Sequence, residues 1–342
     1  MTIRLIAAFA IGFLISLLFG AWLVPFLRKI KAGQSIKEIG PTWHQSKAGT
    51  PTMGGLMFIL AVTAVSLAVG WKSMTEGDYS HVFVLLFSLV YGGIGFLDDF
   101  EKLKHKQNLG LTAKQKFLLQ LAVAVAFLYL LKLFGLLHVS AKPHCIDLYI
   151  PFFNAVFPIN EVVYVIFAAF VIVGTVNAVN ITDGVDGLAA GTSLPVFLFY
   201  TAICFLWGRR FLGLGIFAAA LTGGLMGFLI FNFNPAKIFM GDTGSLFLGG
   251  AVVAMAFAYD MPLILVTLGI VFLWETLSDI IQVIYFKATH GRRIFRMAPF
   301  HHHLEMGGWT GKKWSEKELF ALFTFVSAVF AVISFLGING RF

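Results

Sequence analysis

The chain has 342 residues, of which 58% are hydrophobic and 12% charged, and its mean hydropathy is +0.86. A soluble globular chain carries about 25% charged residues, so a water-soluble enzyme, a disordered chain and a fibrous one are excluded, and the solvent is mostly lipid. The net charge of +8 suits topology signalling and anionic lipid; with no basic stripe interleaved with aromatics, nucleic acid is not an expected partner.

Ten spans are predicted from apolar length. The first, Leu5–Leu27, is too long for a signal peptide and has no small-residue cleavage site after it. Met53–Val69 and Val82–Leu97 follow. The third span runs into Asp98-Asp99-Phe100-Glu101-Lys102, trailed by Lys104, Lys106, Asn108, Lys114 and Lys116. Adjacent aspartates at a helix end repel unless a cation sits near them. The plain alternative is a solvated stop paired with those lysines.

Phe117–Leu137 and Val162–Val179 are the next two spans. After them comes Asn180-Ile181-Thr182-Asp183-Gly184-Val185-Asp186-Gly187. Two Asp-Gly steps make a tight turn, and the density of hard oxygen donors suits Mg²⁺ or a metal–phosphate complex. Leu188–Leu206 and Phe211–Phe231 lead to Asn232-Phe233-Asn234-Pro235, and then to Phe239-Met240-Gly241-Asp242-Thr243-Gly244-Ser245. Asp242 opens the eighth span, Thr243–Tyr259, as an ordinary N-cap or as a metal ligand beside N–H groups free to meet phosphate. Asp260-Met261-Pro262 breaks the chain before the ninth span, Met261–Phe286. There Glu275, Asp279 and Gln282 share one face, expected to line a polar cleft. His301-His302-His303 follow Arg292, Arg293, Arg296 and Pro299. Three consecutive histidines cannot all reach one ion from a regular helix, so an anionic substrate suits them better than zinc. Leu319–Leu336 is the tenth span.

Of the 25 Lys and Arg residues, 18 fall in loops 28–52, 98–116, 180–187, 232–242 and 287–318. Those loops are therefore expected in the cytoplasm, with both termini outside. Cys145 and Cys204 cannot form a disulfide framework. Residues 1–342 read as one integral-membrane unit: an all-α polytopic membrane protein of about ten helices with a cytoplasmic-facing cleft. Acidic groups at a membrane edge are functional suspects, and Asp98, Asp99, Asp183, Asp186 and Asp242 all fall on that one side.

Those residues, with Gly49 through Gly55 and Pro299 to His303, closely resemble the phospho-N-acetylmuramoyl-pentapeptide transferase family. That family is a branch of the polyprenyl-phosphate N-acetylhexosamine-1-phosphate transferase superfamily. The resemblance spans nearly the whole chain, and the histidine run after Pro299-Phe300 narrows it to this branch. It implies transfer of phospho-MurNAc-pentapeptide from UDP-MurNAc-pentapeptide to undecaprenyl phosphate, dependence on Mg²⁺, a homodimer, and residence in the bacterial cytoplasmic membrane. On that pattern Asp98, Asp99 and Asp242 are catalytic, and Asp242 with Asp183 holds the metal. Lys47, Lys102, Lys106 and Lys114 carry phosphate charge. Thr52, Asn180, Asp183, Gly184, Asp186, Asn232, Phe239, Gln282, His301, His302 and His303 bind substrate. The competing readings are a GlcNAc-1-phosphate transferase with the same core and, from another class, an ion-coupled transporter.

Overall fold

The computed structural model describes residues 1–30, 47, 49–105 and 110–338. Thirteen α-helices and one β-hairpin are described, and each of the ten predicted spans coincides with helix. They are α1 (Thr2–Lys29), α2 (Leu56–Val69), α3 (Trp71–Thr75), α4 (Ser80–His105), α5 (Ala113–Leu133), β1 (Cys145–Ile150), β2 (Ala155–Asn160), α6 (Glu161–Thr182), α7 (Leu188–Trp207), α8 (Leu212–Asn232), α9 (Gly241–Ala258), α10 (Leu265–Leu268), α11 (Ile270–Ala288), α12 (Phe300–Glu305) and α13 (Glu316–Gly337).

Eight of these helices are long and apolar enough to cross a membrane among the described residues, or nine if a broken pair counts as one span. The chain is a multi-pass helical membrane protein. The bundle is built around α8 and α9, whose apolar stretches are 78% and 83% buried, while α1, α5 and α13 are 28% buried and face outward. Lipid is as apolar as leucine, so the outer helices lose nothing by exposing Leu18, Phe170 and Phe325. Thr112 and Gln115 start α5 with a reciprocal capping box, and Ser315 and Glu318 do the same for α13.

Four local expectations change. The ninth span is not straight: the Pro262–Leu268 stretch and α11 meet at 82°, around Gly269. The second span starts late, because Gly54 and Gly55 donate their N–H groups to the carbonyls of Phe239 and Met240 at 2.8 and 2.9 Å instead of joining α2. Helix α4 continues to His105, so Asp98 and Asp99 lie inside it, about two turns before its end. Finally, the fold is not purely helical: β1 and β2 pair antiparallel, from Cys145 opposite Asn160 to Ile150 opposite Ala155.

Candidate active site

The C-terminal part of α4 lies against the start of α9, and that contact builds the site. A Cβ on Gly95 would stand 2.0 Å from the Asp242 carbonyl oxygen, so only glycine allows this approach. Gly241 has φ +73°, and a Cβ there would meet Asp99 Oδ2 at 2.6 Å and Thr52 Oγ1 at 2.7 Å. Thr52 is buried against this turn.

Three carboxylates converge there. Asp98, Asp99 and Asp242 each offer an oxygen, and these atoms all lie within 4.8 Å of one another. Two ammonium groups neutralise them in part. Lys102 Nζ is 2.6 Å from Asp98 Oδ2 and 2.7 Å from Asp242 Oδ2, and Lys116 Nζ is 3.1 Å from Asp242 Oδ2. Asn180 Nδ2 donates to Asp242 Oδ1 and to Ser245 Oγ, both at 2.7 Å. Asp242 is thus gripped from α4, α5 and α6 at once.

The three acids are not equivalent. Asp99 Oδ2 accepts the Thr243 N–H at 2.9 Å and the Thr243 hydroxyl at 2.7 Å, and Oδ1 accepts the Asp242 N–H at 3.2 Å. It caps α9 from a neighbouring helix. The N–H groups expected to meet phosphate at Asp242 and Thr243 are therefore already bonded to a carboxylate that packing brings closer. Asp98 Oδ1 accepts the Leu111 N–H at 2.8 Å, while its Oδ2 meets Lys102.

Asp183 stands outside the converging group, although it was expected to share the metal with Asp242. Burial, and then the negative charges of Asp242, Asp99 and Asp186, push its carboxyl well above the usual carboxylate range. Asp186 is buried and accepts from Lys47 Nζ at 2.7 Å, Ala236 N–H at 2.9 Å and Asn234 Nδ2 at 3.1 Å. Lys47 also meets Glu316 Oε2 at 2.7 Å. This network ties Lys47 to the α6–α7 turn and to α13. Asn232 braces the same turn, accepting the Gly187 N–H at 3.0 Å and donating to the Ile238 carbonyl at 2.9 Å. Phe239 is half-buried, and its N–H donates to the Pro51 carbonyl at 2.8 Å.

The histidine run diverges, as helical geometry requires. Buried His301 donates Nδ1–H to Glu275 Oε2 at 2.8 Å, and its other edge packs under Gly184. Burial alone would lower its pKa, but the charge and hydrogen bond of Glu275 raise it above the ordinary 6.5. His302 Nδ1 meets Glu305 Oε2 at 2.6 Å. His303 Nδ1 accepts the Arg296 N–H at 3.1 Å, and its ring lies among Phe295, Phe300 and Trp309. Gln282 does not face an open cleft: its Oε1 accepts the N–H groups of Ile294 and Phe295 at 3.2 and 3.0 Å. Lys114 is exposed, and Lys106 lies outside the described residues. Lys116, Thr243 and Ser245 enter the arrangement without having been singled out as site residues, while Glu275, expected on a face lining a polar cleft, pairs with His301. The lysine-rich trail after Asp99 was the available signal for Lys116.

The family model for glycosyl transferase family 4 matches residues 81–260, which contain every member of the carboxylate cluster. The model for phospho-N-acetylmuramoyl-pentapeptide-transferase signature 1 matches residues 47–59. A phospho-N-acetylmuramoyl-pentapeptide-transferase of Listeria monocytogenes serotype 4b (strain CLIP80459) is 44% identical, covering 96% of this chain and 97% of the relative. The chain belongs to the phospho-N-acetylmuramoyl-pentapeptide transferase family. Relatives of the same name include one from Clostridium botulinum (strain Alaska E43 / Type E3), 42% identical over 97% of this chain and 96% of its own. Another, from Bacillus licheniformis, is 45% identical over 87% of this chain and 88% of its own. For a phospho-N-acetylmuramoyl-pentapeptide transferase the chemistry of the cluster is apt. Hard oxygens from three carboxylates suit Mg²⁺, and two lysines beside them suit phosphate.

Proposed function

We propose that this chain transfers phospho-MurNAc-pentapeptide from UDP-MurNAc-pentapeptide to undecaprenyl phosphate, forming lipid I and releasing UMP in peptidoglycan synthesis. The convergence of Asp98, Asp99 and Asp242 with Lys102 and Lys116 supports this reading most directly. An oxygen of the lipid phosphate attacks the β-phosphorus of the donor. The bond from that phosphorus to the bridging oxygen breaks, and UMP leaves with the electron pair. One pyrophosphate linkage replaces another, so the work is positioning and charge neutralisation.

Asp242, with Asp98 beside it, would hold Mg²⁺, which when bound neutralises the donor pyrophosphate and the departing phosphate. Asp98 orients the acceptor phosphate. That phosphate is mostly dianionic at pH 7, its second pKa being about 6, so it needs little help to lose a proton. Asp99 acts through α9: it holds the helix start that carries Asp242. Lys102 sits between Asp98 and Asp242 and turns to phosphate oxygens once substrate charge enters. Asn180 fixes Asp242, and Asp183 with Gly184 faces the nucleotide. Lys47, Asp186, Asn232 and Phe239 shape the nucleotide side of the cleft, and the α12 histidines its sugar-peptide side, with Gln282 holding the loop before them in place. We further propose a homodimer of about ten spans per protomer in the bacterial cytoplasmic membrane, with the site facing the cytoplasm and both termini outside.

Purified protein given UDP-MurNAc-pentapeptide or UDP-GlcNAc with undecaprenyl phosphate tests the donor. UMP release with the muramoyl donor alone is expected. Release with UDP-GlcNAc alone would transfer the assignment to the GlcNAc-1-phosphate branch, and solute flux without UMP release would favour transport.

A further inference from the structure

The hairpin lies at the end of the bundle opposite the carboxylates, and it is fastened at both of its ends. At its base the Glu161 N–H donates to the His144 carbonyl at 2.9 Å. At its tip the Phe152 N–H and the Tyr149 hydroxyl donate to the Gly337 carbonyl at 2.9 and 3.3 Å. Six strand residues span about 20 Å. The hairpin therefore lies across the helix ends, from the start of α6 to the end of α13, rather than projecting from them.

Its two strands have different environments. Ile146, Leu148 and Tyr149 of β1 are buried on the bundle. The β2 side exposes apolar groups: Phe153 at the turn is 82% exposed, Phe157 54% and Val156 47%. An exposed apolar edge strand is an aggregation hazard unless something covers it. The surface next to it is the lipid-facing surface of the bundle. Immediately after β2, α6 exposes Val162, Val163, Ile166 and Phe170, and α13 exposes Leu336 beside the tip. A cavity of ≈ 450 Å³ at the hairpin base is lined by polar His144, Asn160 and Glu161 and, further along α6, by apolar Val162, Val165 and Ile166. That succession from polar residues at the start of α6 to apolar ones deeper along it matches the boundary between headgroups and acyl chains.

We propose that the hairpin is a membrane-seated element. Phe153, Val156 and Phe157 insert at the headgroup–acyl boundary of the leaflet opposite the carboxylate site, and the basal cavity receives part of a phospholipid. The occupant is phospholipid, because the exposed apolar edge adjoins the lipid-facing stripe of α6, from which only Asn160 and Glu161 separate it.

Spin labels test this in the full-length chain, in vesicles of phosphatidylethanolamine and phosphatidylglycerol. Phe153→Cys and, separately, Phe157→Cys are labelled in a Cys145→Ser/Cys204→Ala background, with Lys142→Cys as the solvent reference. The ratio of oxygen to nickel-chelate accessibility is expected to be several-fold higher at either phenylalanine position than at Lys142. A ratio equal to the reference at the positions that fold would overturn the proposal. So would spin–spin broadening that vanishes on dilution with unlabelled chain, because a second copy would then cover the edge.

Discussion

Asp99 of α4 holds Thr243 of α9 twice, through its backbone N–H at 2.9 Å and its hydroxyl at 2.7 Å. This links two helices far apart in sequence and fixes where Asp242, one residue earlier, presents its carboxylate. Asp99 therefore braces the start of α9 in addition to standing in the carboxylate cluster. Asp99→Asn should lower both turnover and stability. Leaving a buried donor unsatisfied costs about 1–3 kcal/mol, read as a drop in the thermal unfolding midpoint in detergent. Asp98→Asn should lower turnover by orders of magnitude with a smaller drop in that midpoint. Equal thermal losses for the two variants would contradict the distinction.

Asn180 donates to Asp242 and to Ser245. Groups that orient a metal-binding carboxylate are worth about 10–100-fold in metal affinity or activity. Asn180→Ala should therefore raise the Mg²⁺ concentration needed for half-maximal UMP release by about that factor. An unchanged Mg²⁺ requirement would separate Asn180 from the metal.

Gly95 permits the contact between α4 and the Asp242 backbone. Gly95→Ala places a methyl 2.0 Å from the Asp242 carbonyl oxygen, so α4 and α9 must part. Loss of most turnover together with a lower unfolding midpoint is expected. Near-normal values of both would show that this helix contact has slack.

The Glu275–His301 pair gives a pH dependence. The folded state holds the His301 proton more tightly than an ordinary histidine of pKa 6.5 does. The contribution is thus fully present below about pH 6.5, and it is lost as pH rises through the folded value. Thermal unfolding midpoints measured from pH 5.5 to 9 should fall on the alkaline side, and Glu275→Gln should flatten that fall. A Glu275→Gln profile parallel to that of the parent chain would remove the pair as its source.

The helices were legible because lipid imposes one simple demand, about 20 apolar residues: eight of the predicted segments are described helices long and apolar enough to cross a membrane, the ninth is a bent pair, and α2 is shorter. The clustering of Asp98, Asp99 and Asp242 was legible because acids at a membrane edge are costly without purpose. The division of labour among them was not. That Asp99 caps α9 and Asp98 does not depends on the rotation of α4 about its axis, which a run of two aspartates leaves open. Lys116 reaches Asp242 only because α5 folds back beside α4. The 138–160 segment mixes polar and apolar residues in stretches too short to mark strands before their partners are known. The bend lies at Gly269, beyond the Asp260–Pro262 break that the sequence shows.

Asp186 and Glu316 share Lys47, and Asp186 also holds the 234–236 turn. Without Asp186 the Ala236 N–H and Asn234 donors lose their acceptor, a loss of about 1–3 kcal/mol for a buried donor left unsatisfied, while Lys47 keeps Glu316. Asp186→Ala should therefore lower the unfolding midpoint more than Lys114→Ala does, because Lys114 is exposed. Indistinguishable midpoints would show that the loops around the α6–α7 turn are held by other contacts.

The most direct test is UMP release from UDP-MurNAc-pentapeptide by purified protein across a Mg²⁺ titration, with the parent chain and Asp242→Asn side by side. The expected result is Mg²⁺-dependent release by the parent chain and turnover lower by orders of magnitude in the folded variant at every Mg²⁺ concentration. Full Mg²⁺-dependent turnover by Asp242→Asn would contradict a reaction centred on the carboxylates that α4 and α9 bring together.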